Sequence, residues 1–171
     1  MTDISRWIAR CVGLVPAGAA VLDVAAGGGR HTRFFRGRGH PVTAIDRDVS
    51  ELADLVADPG TDLLSADLEG GAPWPLPGRT FGAVIVANYL HRPLWPRLVE
   101  ALAPSGGVLL YETFMVGNER FGRPSNPDFL LRRDELRDLA LAAGLDVMAF
   151  EQGDVAEPRP ATTQRIAARR R

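Results

Sequence analysis

The sequence predicts an α/β chain: a doubly wound, seven-stranded sheet, mostly parallel with an antiparallel edge strand, and helices on both faces. Three observations lead there. Short apolar, β-branched runs alternate with segments of helical periodicity, which is the signature of a parallel sheet wrapped by helices. The last two strand-like runs follow one another without an intervening helix, which makes the antiparallel edge. The length of 171 residues, 46% hydrophobic and 24% charged, suits one ordinary globular domain spanning 1–171.

Ile4–Val15 carries apolar residues at helical spacing and stops at Pro16-Ala17-Gly18. Ala20–Ala25 is a buried strand running into Gly27-Gly28-Gly29. Arg30–Gly39 continues as a short helix with Phe34 and Phe35 inward, closed by Gly37 and Gly39. A second strand within His40–Asp48 ends at Asp46. Asp48–Asp58 reads as a helix, capped by Asp48 or Ser50 and stopped by Pro59-Gly60. Thr61–Leu68 is a third strand, and Glu69–Thr80 a proline- and glycine-rich loop. Phe81–Leu90 is the most strand-like run of all. A helix over Arg92–Gly107 leads to a fifth strand, Gly107–Phe114. The polar insert Met115–Phe129 precedes a helix over Arg132–Gly144, and Leu145–Gln152 and Thr162–Arg169 are the last two strands.

Several function classes are disfavoured. A net charge of -1 gives no basic excess that demands nucleic acid. All 20 basic residues are arginine, so no lysine serves Schiff-base chemistry or a Walker-type phosphate loop. The single cysteine, Cys11, allows no internal disulfide and no cysteine-based zinc cluster, and its amphipathic setting suits a small apolar role. No apolar run reaches the length of a membrane span, and MTDISRW lacks signal-peptide character. The expectation is a cytoplasmic protein without a membrane partner. No motif speaks to its oligomeric state.

In sheets of this kind ligands sit at the carboxyl ends of the strands. That singles out Asp23 to Arg30, Asp46, Asp67, Asn88 to His91, and Glu112 onward. Three consecutive glycines pack nothing, so they mark a sharp bend or a surface on which something lies. A dinucleotide fingerprint would need a third glycine further on, where Arg30, His31 and Thr32 stand. Asp23 would also repel a pyrophosphate, whereas it suits a ligand carrying a cationic amino group.

With these residues the chain resembles the class I S-adenosylmethionine-dependent methyltransferases, from Val21 to its C-terminus, in their Rossmann-like version of the doubly wound sheet. The resemblance implies S-adenosyl-L-methionine as cofactor. It makes DVAAGGG the acidic-x-Gly-x-Gly-x-Gly loop, mapped onto Asp23, Ala25, Gly27 and Gly29, with Ala25 replacing the first glycine. It also implies that Asp46 accepts from the ribose hydroxyls, and that Asp67 meets the adenine amino group with Leu68 beside the ring. Asn88 would stand where cofactor meets substrate. In size the chain is similar to the small-molecule branch, near the tellurite-resistance and thiopurine-type enzymes, which implies a small-molecule substrate.

In-line methyl transfer asks for a nucleophile held at about 3 Å and for exclusion of water. A protonated nucleophile also needs a base. His91 is the best-placed imidazole, and with Asn88 and Tyr89 it makes the expected catalytic set. Packing of His91 against the cofactor, or capping of the next helix, is an equal alternative. His31 reads as a positioning or packing residue, and His40 as structural, at the opposite end of the sheet.

The insert carries Asn118, Glu119, Arg120, Arg123, Ser125 and Asn126 among Phe114, Phe121 and Phe129. Guanidinium groups grip carboxylate, phosphate or a small oxyanion. The expectation is that Asn118, Arg120, Arg123 and Asn126 form a lid orienting a small anionic substrate. A surface loop folded on its own aromatics is the alternative. Two other classes stay open. One is an RNA or other nucleic-acid methyltransferase, which the basic tail RIAARRR suggests, although NYLHRP stands where base amino methylation would show Asn/Asp-Pro-Pro-aromatic. The other is a non-catalytic domain that binds S-adenosylmethionine.

Overall fold

A computed structural model describes residues 4–171. Its strands are β1 (Val21–Val24), β2 (Val42–Asp46), β3 (Thr61–Ser65), β4 (Ala83–Ala87), β5 (Val108–Phe114), β6 (Asp146–Val155) and β7 (Ala161–Arg169). They form one seven-stranded sheet in the order β3-β2-β1-β4-β5-β7-β6. The first five strands pair in parallel, whereas β7 runs antiparallel to both β5 and β6. The final hairpin forms the edge as expected, and the reversed strand is its inner member.

Four α-helices cover the sheet: α1 (Arg6–Cys11), α2 (Arg30–Arg36), α3 (Trp95–Glu100) and α4 (Glu135–Ala142). The two-residue period of each strand divides its side chains between two cores. Leu22, Val24, Val84, Val86, Leu109 and Tyr111 pack on Leu98 of α3 and Leu136 of α4. Val21, Ala83, Ile85, Val108 and Leu110 pack on Trp7 and Ile8 of α1 and Phe35 of α2. Both faces are thus buried, which is why the central strands read as unbroken apolar runs.

Three expected helices are shorter than their sequence pattern. α1 starts at Arg6, where the Ser5 hydroxyl accepts from the Ile8 amide at 3.3 Å, and gives way to a 3₁₀ turn over Val12–Leu14. The segment Asp48–Asp58 contains no α-helix, only a 3₁₀ stretch over Ser50–Leu55. Leu52 is its one buried residue, so no apolar stripe holds a full helix on the sheet. Arg92–Gly107 becomes a 3₁₀ turn over Arg92–Leu94 followed by α3, because Pro93 and Pro96 have no amide hydrogen and sit only in first turns. Among the described residues no helix is long and apolar enough to cross a membrane.

Candidate functional site

At the carboxyl edge, strain and unsatisfied polarity gather around the loop after β1. Ala25 and Asn88 follow the neighbouring strands β1 and β4, and both hold a left-handed backbone, with φ of 54° and 57°. Such a conformation costs a residue with a side chain about 1–3 kcal/mol. Two glycines share it without that cost, Gly27 at 51° and Gly29 at 70°. Gly29 is required sterically too, since a Cβ there would lie 1.9 Å from a Leu52 methyl. A Cβ on Gly27 would meet nothing within 4 Å; it would project into open space.

Three carboxylates brace this edge. Asp46, at the end of β2, accepts from the Gly27 amide at 2.8 Å and from the Asp48 amide at 3.0 Å, one bond on each oxygen. Asp67 receives the Glu69 and Gly70 amides on Oδ1 at 2.9 and 3.2 Å. Asp23 lies beneath the loop, buried, with the Thr32 hydroxyl donating to it at 2.6 Å. Burial pushes its carboxyl up to about 6, against the bonds from Thr32 and the nearby charge of Arg30.

Two cavities meet at Ala25. One, of about 380 Å³, is lined by Asp46, Arg47, Ala66, Asp67, Leu68, Glu69 and Tyr89. On its wall stands Tyr89, whose hydroxyl is buried beside the Glu69 carboxylate. Burial first, and then the Glu69, Asp67 and Asp46 carboxylates, raise its pKa well above the usual phenol range. The other cavity, of about 780 Å³, is lined by Gly27, Gly28, Arg30, His31, Ala87 and Asn88.

No family model matches the chain, and no curated protein matches it. Solved structures do. TehB from Haemophilus influenzae superposes with a TM-score of 0.79 at 15% identity, over 100% of this chain. The chain spans 64% of that protein's length. The 1,6-didemethyltoxoflavin-N1-methyltransferase of Burkholderia thailandensis, solved with its substrate and S-adenosylhomocysteine, gives a TM-score of 0.69 at 21% identity, over 96% of this chain and 74% of that one. A TehB-like S-adenosylmethionine-dependent methyltransferase of Corynebacterium glutamicum gives 0.69 at 17% identity, over 99% and 90%. The chain has the class I S-adenosylmethionine-dependent methyltransferase fold.

Within this methyltransferase fold, Ala25, Gly27, Asp46, Asp67, Leu68, Tyr89 and Asn88 all line the paired cavities. Asp23 and Gly29 do not; they hold the loop from below and behind. His91 stands elsewhere, in a depression shared with Asp67, Leu68, Trp74 and Arg97. It is not among the residues around Gly27 and Asn88, so the structure does not bring it to the place expected of a base. After Asn88 the chain runs into the Arg92–Leu94 turn, whose N-cap is His91. His31 is buried and its Nε2 faces the Ser5 amide at 3.5 Å; burial lowers its pKa to about 3. His40 bonds the Ala19 carbonyl at 2.9 Å at the amino end of the sheet.

The insert is corrected more thoroughly. Asn118 is buried, its amide donating to the Pro124 carbonyl at 2.9 Å and accepting from the Thr162 amide at 3.0 Å. Arg120 binds Asp154 at 2.7 Å, and the Asn126 side chain accepts from the Asp128 amide at 3.0 Å. Arg123 is exposed, and none of the four lines either cavity. The insert folds back on the β6–β7 hairpin because its polar groups find partners there.

Sequence reasoning passed over Arg30 as a liganding group, although it opens α2 beside Gly27 and Asn88. It also passed over Arg165, which reaches Glu112 across β5 and β7 at 2.8 Å. The available signal was a charge within a run of otherwise buried strand residues.

Proposed function

We propose that the chain is an S-adenosylmethionine-dependent methyltransferase acting on a small molecule. What carries this reading is the pair of cavities joined at Ala25, with a carboxylate at the end of β2, another after β3, and bare backbone between them. A nucleoside with an amino-acid tail fits these walls. Asp46 keeps lone pairs for ribose hydroxyls, and the Asp67 carboxylate is available to an adenine amino group with Leu68 and Ala66 beside the ring. Tyr89 lines the same space, and the open side of Gly27 leaves room for the tail. Arg30 would meet the tail's carboxylate, while the charge of Asp23 favours its ammonium through the loop.

S-adenosylmethionine, when bound, supplies an electrophilic methyl group. The protein's share is to bind, orient and exclude water. Asn88 supports this as the residue common to the cofactor side and the open edge, held by its left-handed backbone with its amide bonded to the Glu112 carbonyl at 2.9 Å. Calorimetry tests the reading: S-adenosylhomocysteine should bind with one site per chain, and NAD should not. Binding of NAD in its place would overturn it.

A further inference from the structure

On the face of the sheet that carries α1 and α2, the helices stop short of the carboxyl edge. Glu112 and Phe114 of β5 lie opposite Arg165 and Thr163 of β7. All four face a cavity of about 240 Å³ rather than a helix. The segment Ile4 to Arg6 and the hairpin turn from Val155 to Ala161 make the other walls. An ion pair between Arg6 and Glu157 ties those two walls together. Arg30 and Asn88 belong to this cavity and to the one beside Gly27, so the two spaces adjoin where a methyl group would leave the cofactor.

Ion pairs in the lining join Arg165 to Glu112 and Arg6 to Glu157, and Arg159 stands on the turn as a further cation. Both glutamates already face an arginine, Glu112 on the floor and Glu157 on the rim. The Arg165 Nε is buried and lacks hydrogen-bond geometry even toward Glu112. Arg159 makes no ion pair among the described residues and is exposed on the turn, its guanidinium 5.9 Å from the centroid of the Phe114 ring. Positive charge at the mouth thus stands beside an apolar wall of Phe114, Val155 and Ala161.

We infer that this cavity is the methyl-acceptor site, and that the acceptor is a small organic anion: one ring or a branched chain bearing a carboxylate. The inference rests on the cofactor reading above. A carboxylate pairs with the Arg159 guanidinium. The apolar body covers Phe114, which an inorganic oxyanion would leave facing water. A cation would meet like charge, and a neutral molecule would make no ion pair with Arg159. The volume lies below the roughly 300–1,000 Å³ of pockets for drug-sized ligands, which limits the body to about one ring.

The test titrates the full chain with S-adenosylhomocysteine first, and then the loaded protein with benzoate, phenylacetate, benzamide and selenite. Benzoate or phenylacetate should bind at least about tenfold more tightly than benzamide or selenite. Arg159→Gln should abolish that preference and leave S-adenosylhomocysteine affinity within about twofold; Arg159→Lys should restore part of it. Equal binding of benzoate and benzamide, preference for selenite, no binding of either acid, or an Arg159→Gln protein that keeps the preference would each overturn the inference. Failure of S-adenosylhomocysteine to bind overturns the cofactor reading, and the acceptor role with it, and is seen before any acid is added.

Discussion

The loop after β1 and the insert after β5 look alike in composition. Both sit at the carboxyl edge and both combine glycine with arginine: Gly27, Gly28 and Gly29 run into Arg30 after β1, and Gly117 and Gly122 stand beside Arg120 and Arg123 after β5. Their polar groups end up differently. In the insert, Asn118 satisfies both ends of its amide on the protein, Arg120 is held by Asp154, and Asn126 caps a turn. Around the β1 loop, Asp23 is buried with a raised pKa, the Tyr89 hydroxyl is buried beside carboxylates that raise its pKa, and Ala25 and Asn88 hold strained backbone. Strain and unanswered polarity persist only where the surroundings enforce them, and they gather at functional sites. The insert's polar groups are bonded within the fold, whereas around the loop strain and a buried charge remain.

Substitutions can break this contrast. The largest effect belongs to Gly29→Ala, where the new Cβ meets Leu52 at 1.9 Å on a backbone with φ of 70°. Strain and overpacking together should destabilise the fold by about 3–5 kcal/mol in urea unfolding. A loss under about 1 kcal/mol would mean that the loop is softer than the packing implies.

Asp23 comes next, and its sign is opposite. Its carboxyl titrates at about 6 in the fold instead of the usual 3.8. The native state therefore holds the proton more tightly than the unfolded chain, and ionisation costs stability. That cost is absent below 3.8 and complete above about 6. Asp23→Asn keeps an acceptor for the Thr32 hydroxyl and removes the charge. The variant should be more stable than the parent by about 2–3 kcal/mol at pH 7 and about equal to it near pH 4. It should also bind S-adenosylhomocysteine more weakly. Unfolding curves that stay superimposed from pH 4 to 7 would remove Asp23 from the strained set.

A matched pair sharpens the comparison directly. Asn118→Ala should cost about 2 kcal/mol of stability, for two lost buried hydrogen bonds, with cofactor affinity unchanged. Asp46→Ala should weaken S-adenosylhomocysteine binding by about 1–3 kcal/mol, more than it lowers stability. If the two variants exchange these phenotypes, the roles assigned to loop and insert are reversed. The smallest effect is expected from Ala25→Gly, which relieves the left-handed strain but loosens the unfolded chain. The net gain should be about 1 kcal/mol or less in the same unfolding assay.

The order of strands and helices, the glycine bend, and the carboxylates at Asp46 and Asp67 were all legible from one dimension. Hydrophobic period and the ends of apolar runs are local properties, and a parallel sheet puts each strand end at the same edge. The sequence by itself therefore determined the fold class and one wall of the site. Helix lengths were overstated at Ile4–Val15, Asp48–Asp58 and Arg92–Gly107; in the second a single buried leucine left too little apolar stripe to dock, and in the third the prolines broke the pattern. Only the tertiary structure decided which polar residues would find partners. Asn118 meets Thr162 and Glu112 meets Arg165 across more than forty positions of chain, by way of the register between β5 and β7 and the fold of the insert onto the hairpin. A side chain's type shows what it can bond, but whether it is already bonded depends on what the fold sets opposite it.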